Sequence, residues 1–261
     1  MQIIDFHTHI YPDKIAERGT QSTCDFYGLK TDLVGNAKTL KEEGKKAGIS
    51  KFVLLPVALK PEQVRHVNAF TAQVVAENEE FYGFGGMHPD VENAEDEITA
   101  INEMGLLGVK IHPDIQRFPI DDKRMYPIYE MMEGRMPLYV HCGDPRYDFS
   151  RPERLRKVLD DFPNLTAIAA HLGGWAMFDK AYENLKDKSC YLDVSSSIMF
   201  ESPENIRKYI SGYGADRILF GTDFPIWNPK TEVERFLSLG LTDEDNEKIL
   251  WKNALCFLEK E

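Results

Sequence analysis

Eight short apolar runs, most of them separated by amphipathic segments, constrain this chain more than any other feature. They occupy residues 2–6, 51–57, 81–87, 108–112, 137–142, 165–170, 190–194 and 217–221. Each is rich in Val, Ile, Leu and aromatic residues, as strands buried on both faces must be. The intervening segments have helical periodicity. Leu155, Val158, Leu159 and Phe162 fall at i, i+3, i+4 and i+7, with Pro152 near the start of that helix and Pro163 just past its end. Residues 62–79 and 93–104 behave alike, and 243–258 turns Ile249, Leu250 and Leu255 inward. Strands alternating with helices predict parallel βαβ units, which either a closed barrel or a doubly wound sheet satisfies. No Gly-x-Gly-x-x-Gly follows the first strand, which disfavours a dinucleotide site. The one long irregular segment, residues 10–32, suits a lid over a site as well as a plain surface excursion.

The chain has 261 residues, of which 43% are hydrophobic. A barrel takes about 250 residues as one unit, so residues 1–261 are expected to form a single domain. The net charge of −12 disfavours nucleic acid and anionic membranes as partners and leaves a small-molecule substrate. No secretory signal and no membrane-spanning run is expected. Cys24, Cys142, Cys190 and Cys256 are scattered, as free thiols in a reducing cytoplasm would be.

The chemistry gathers at the C-terminal ends of the predicted strands. Strand ends carry Asp5-Phe-His7-Thr-His9, His88-Pro89, Lys110-Ile-His112, His141-Cys-Gly-Asp144, His171-Leu-Gly-Gly and Gly221-Thr-Asp223. Only His66, of seven histidines, falls mid-helix. In a barrel these ends surround one mouth. His7 and His9 are two apart, so strand alternation turns both to one side, where two imidazoles grip one ion and a carboxylate completes the set. Asp5 shares the His7 face and is placed to orient an imidazole. Lys110, His112, His88 and Asp193 suit buried structural roles as well as functional ones. Trp175, Phe178, Phe224 and Trp227 follow the same strands and offer an apolar substrate wall.

Asp5-x-His7-x-His9, Leu-Tyr-Val-His141, Ala-Ala-His171-Leu-Gly-Gly and Leu-Phe-Gly-Thr-Asp223-Phe-Pro together resemble the amidohydrolase superfamily. The likeness is greatest to its amidohydrolase-related branch, which includes aminocarboxymuconate-semialdehyde decarboxylase. The resemblance implies a distorted (β/α)8 barrel and His7, His9, His141 and Asp223 as metal ligands. It implies His171 as a neighbouring catalytic residue or a ligand of a second ion. Lys110 stands where binuclear members carry a carboxylated bridging lysine, so one or two ions fit. Zinc is the first expectation, with manganese and iron as alternatives, and a homodimer is compatible. The decarboxylases also carry an arginine on an early substrate loop, a region where this chain has Arg18.

Two chemistries use such a site. In the hydrolytic one, which the breadth of the superfamily favours, Asp223 takes a proton from metal-bound water and hydroxide attacks an ester, lactone or amide, with His171 stabilising the oxyanion. In the decarboxylase one, the same residues protonate a substrate carbon as carbon dioxide leaves. A metal-binding protein without catalysis is the third reading, and it gives Asp223 and His171 no task beyond the metal.

Overall fold

The computed structural model describes residues 2–259. Nine short strands run in parallel: β1 (Ile4–Thr8), β2 (Lys51–Leu54), β3 (Phe81–Gly83), β4 (Gly85–Gly86), β5 (Val109–Ile111), β6 (Leu138–Val140), β7 (Ala167–Ala169), β8 (Tyr191–Asp193) and β9 (Ile218–Leu219). They pair in the order β1-β2-β3 and β4-β5-β6-β7-β8-β9. β3 and β4 are one barrel strand interrupted at Phe84, whose N–H donates to Leu54 O at 2.9 Å while Gly85 N–H donates to Gly108 O at 2.8 Å. β9 returns to β1 through Phe6 N–H to Phe220 O at 2.8 Å and a parallel bridge between Thr8 and Phe224. The sheet therefore closes. The eight predicted runs are the eight barrel strands, and the doubly wound alternative falls away.

Side-chain alternation divides the core in two. Ile4, Phe6, Val53, Leu55, Phe84, Tyr139, Ile168 and Leu219 fill the barrel, and Ala254 and Phe257 of the C-terminal helix plug its floor. The opposite parity, including Leu54, Val109, Ile111, Leu138, Val140 and Leu192, packs against the helical layer. Phe6 stacks on Tyr139 at 6.2 Å and meets Phe257 at 5.4 Å, so the interior beneath the mouth is solid aromatic packing.

Residues 10–32 differ from the sequence expectation of an irregular stretch. They hold a 3-10 turn and the helix Ala16–Tyr27, which ends on Gly28 with φ +67°. Only Ala16, Thr20 and Cys24 of that helix are buried, so its apolar stripe is too thin to read as a helical period. All four cysteines are free. Among the described residues no helix is long and apolar enough to cross a membrane.

Candidate metal centre

β1 does not keep simple alternation. Its pairing with β2 shifts register between Asp5 and Thr8, an irregularity that re-aims side chains. Phe6 points into the barrel core, and His7, the next residue, also reaches the mouth. Asp5 is turned elsewhere. It accepts from the Thr222 N–H at 2.9 Å, the Thr222 hydroxyl at 2.6 Å and the His7 N–H at 3.2 Å. The expectation that Asp5 orients an imidazole is thus corrected: it ties β1 to the turn that carries Asp223. The contact is tight, because a Cβ on Gly221 would lie 2.6 Å from His7 Cβ.

The orienting carboxylate is Asp193, at the end of β8. His7 Nδ1 lies 3.1 Å from Asp193 Oδ2, and His9 Nδ1 lies 2.6 Å from Leu55 O. Both partners are acceptors, so each Nδ1 carries the proton and each Nε2 keeps its lone pair. Those two Nε2 atoms are 3.1 Å apart, and Asp223 Oδ1 lies 3.5 and 3.4 Å from them. Three proton-free donors facing one another in a buried site repel unless a cation joins them. An ion about 2.1 Å from each donor would give edges of roughly 3.0 to 3.4 Å for octahedral to tetrahedral arrangements. The observed separations fit a divalent ion.

The other histidines extend this set. His171 Nδ1 faces the Ser195 carbonyl and hydroxyl, each at 3.0 Å, and its Nε2 faces His141 Nδ1 at 3.0 Å. His141 Nε2 is committed to Gly143 O at 3.0 Å. His7, His171 and Asp223 form one group whose donor atoms lie within 4.8 Å of one another, and His112, Asp114 and His141 form a second. His141 therefore reaches the His7–Asp223 group through His171. In the second group the rings of His112 and His141 stack at 3.9 Å and 11°, which directs their lone pairs side by side rather than to one point.

Electrostatics agree with a cation site. Burial pushes His7 down to about 4 and holds His141 and His112 well below the usual imidazole range, so these rings are neutral. Burial opposes the charges of Asp193 and Asp223, but surrounding imidazoles and hydrogen bonds outweigh it and keep both ionised. Lys110 is buried, and its Nζ sits 4.7 Å over the Tyr139 ring with no hydrogen-bond partner among the described residues. Burial pushes its amine down to about 8.

Asp223 (φ 59°), His171 (φ 58°) and Ser196 (φ 47°) all adopt left-handed backbone. Each costs roughly 1–3 kcal/mol for a residue with a side chain, and such strain concentrates at functional sites. Ser196 was not anticipated from sequence. Its hydroxyl donates to Asp223 Oδ2 at 2.5 Å and accepts from the Trp227 indole at 2.8 Å. Ser196 is the middle one of three serines after Asp193-Val194, and no pattern marks it. Of the proposed apolar wall, Trp175 lines the cleft, with Tyr27, Leu29 and Ile226. Phe178 packs in the helical layer near Tyr209, Phe224 is wholly buried in the core, and Trp227 acts through Ser196. His66 and Arg18 are exposed on helices, so Arg18 supplies no buried anchor, and His88 packs against Phe118.

Asp114 gives the site a pH-dependent neighbour. Burial raises its carboxyl from 3.8 to about 7, against a hydrogen bond from Ser150. A folded-state value above the unfolded one means that the native state holds the extra proton between about pH 4 and 7. Stability is fully present below the lower value and is lost as pH rises through the upper one, at about 1.4 kcal/mol per unit. Urea titrations of Asp114→Asn across this range are expected to show a flatter pH profile than wild type.

The closed (β/α)8 barrel gathers His7, His9 and Asp223 at one mouth, an arrangement suited to a divalent ion. The family model for amidohydrolases matches residues 4–259, and the chain belongs to that family. It is 24% identical over 247 residues to gamma-resorcylate decarboxylase from Polaromonas sp., covering 74% of this chain and 75% of that one. Among solved structures, an uncharacterised TIM-barrel protein from Bordetella bronchiseptica superposes with TM-score 0.79 at 23% identity, covering 99% of this chain and 98% of that one. A dihydroxybenzoic acid decarboxylase from Polaromonas sp., solved with bound manganese and the inhibitor 2-nitroresorcinol, gives TM-score 0.76 at 19% identity, covering 98% and 96%. Decarboxylases thus stand where the sequence favoured hydrolases.

Proposed function

We propose that this protein is a divalent-metal-dependent decarboxylase of a small aromatic carboxylic acid. The observation that carries the site is the convergence of His7 Nε2, His9 Nε2 and Asp223 Oδ1 with no proton between them. The decarboxylase activity of the Polaromonas relative supports lyase over hydrolase chemistry. These three residues would hold one ion, with His171 Nε2 beside them and His141 Nδ1 3.0 Å beyond it. The second stacked group argues against a second ion, and Lys110 then serves as a buried positive charge near Asp193 and Asp223. Manganese and zinc both accept imidazole and carboxylate donors, and manganese is the first to test.

When bound, the metal supplies a fixed positive charge that orients the substrate's oxygens. The chain's own residues do the rest. The ring carbon bearing the carboxylate must gain a proton as its bond to that carboxylate breaks, and the bond's electron pair passes to this proton. Asp223 Oδ1, the acid–base group nearest the ion's place, would take up a solvent proton and deliver it to that carbon, with His171 Nε2 beside it as the relay. The register shift in β1 and the packed aromatics below fix these atoms from beneath.

The test is turnover by manganese-loaded protein of a panel of mono- and dihydroxybenzoates in deuterium oxide. Carbon dioxide release with one deuterium at the vacated ring carbon is expected. Activity on lactones or esters with none on the acids would overturn the assignment in favour of a hydrolase.

A further inference from the structure

The helix Ala16–Tyr27 delivers one side chain into the cleft that the metal-centred account leaves without a task. Tyr27 is the helix's last residue, and it lines the cleft opposite His141, His171 and Asp223. Its phenolic oxygen lies 2.6 Å from His112 Nε2. The direction of that bond follows from the other ring nitrogen. His112 caps the short helix Pro113–Gln116, and its Nδ1 accepts from the Ile115 N–H. An accepting Nδ1 leaves the proton on Nε2, so His112 donates to Tyr27. The phenol's own proton is then unspent, and Tyr27 makes no other hydrogen bond to the described residues. An ordinary phenol titrates near about 10, so this proton stays in place at neutral pH.

Its placement is enforced from both sides. The Phe26 carbonyl just before it accepts from Arg146 at 2.7 Å, and Arg146 forks onto the buried Asp144. The Tyr27 ring meets Trp175 edge-on at 5.3 Å. Leu29, Trp175 and Ile226 supply apolar surface between the cleft's polar groups.

We propose that Tyr27 is a specificity-determining residue that donates its phenolic hydrogen to an oxygen substituent on the ring of the aromatic acid, with His112 as the positioning residue that frees this hydrogen. The proposal rests on the decarboxylase reading of the site and adds the substrate's second polar group.

The experiment compares calorimetric binding of benzoate with that of 2-, 3- and 4-hydroxybenzoate to manganese-loaded wild type, Tyr27→Phe and His112→Asn. Phenylalanine keeps the packing on Trp175. Asparagine keeps the helix cap but is too short to reach Tyr27. In wild type, at least one hydroxybenzoate is expected to bind roughly five- to tenfold more tightly than benzoate. Both variants are expected to erase that advantage while benzoate changes less than twofold. An advantage that persists in Tyr27→Phe assigns the ring oxygen to another group and overturns the proposal. So does an equal loss for benzoate, which would make Tyr27 a prop for its helix. Failure of wild type to bind any of the four acids would sink the decarboxylase reading itself, and is told apart because it appears before any substitution.

Discussion

Asp223→Asn is expected to lower turnover by about 10³-fold or more at saturating manganese, and to weaken metal binding as well. The hydrogen-bond pattern explains both effects. Ser196 donates to Asp223 Oδ2 at 2.5 Å, so the amide oxygen of asparagine takes that place. Its NH₂ group then turns toward the His7 and His9 Nε2 atoms, which now stand 3.5 and 3.4 Å from Oδ1. Two lone pairs that awaited a cation gain hydrogen-bond donors instead. The group that moves the proton is lost, and the ion's place is filled by N–H. Without metal, the variant is expected to melt at or above the wild-type temperature, because the repulsion among three facing donors is relieved. Metal content after dialysis, turnover and apo-protein melting check the three parts separately. Full turnover in this variant would remove Asp223 from the chemistry.

The barrel and most of the site's members were legible because they depend on local pattern. Eight apolar runs, six of them leading into His, Lys or Asp, describe a barrel mouth whatever the loops do. What stayed hidden depends on contacts between distant strands. The register shift after Asp5 breaks the alternation that placed Asp5 beside His7, and no residue in Asp5-Phe-His7-Thr-His9 signals it. The imidazole's partner comes instead from β8, 186 positions away. Tyr27 was invisible for a related reason. The helix that carries it buries only three small residues, so its sequence lacks a helical stripe. Its function comes from reaching across the mouth to His112, 85 positions on. Of the four expected ligands, His7, His9 and Asp223 converge in space, while His141 connects to them through His171. The preference for hydrolysis had no residue behind it, and the same donors serve lyase chemistry equally well.

Asp193→Asn is expected to weaken metal binding by about 10- to 100-fold, although Asp193 is placed to touch no ion. One carboxylate here accepts five hydrogens. Oδ1 takes those of the Ser195 N–H at 2.8 Å, the His171 N–H at 3.3 Å and the Ser195 hydroxyl. Oδ2 takes those of Tyr139 at 2.6 Å and His7 Nδ1 at 3.1 Å. Asparagine has one acceptor oxygen. The position of Oδ1 faces three donors and retains it, so the new NH₂ faces Tyr139 and His7. His7 Nδ1 must then accept, and its proton moves to Nε2, which points at His9 and Asp223. A ring protonated there cannot ligate. The same tautomer reversal costs on the order of 10⁴ in turnover when the aspartate of a protease triad is changed. Folding stability also falls, by about 1–3 kcal/mol, because two buried donors meet where one acceptor had stood. The control is Tyr139→Phe, which removes one donor to Asp193 and leaves the His7 tautomer alone. Metal titrations of the two variants are expected to separate them by at least tenfold, Tyr139→Phe staying within a few-fold of wild type. Equal weakening in both would mean that Asp193 acts by bracing the strand ends at the mouth rather than by setting the proton on His7.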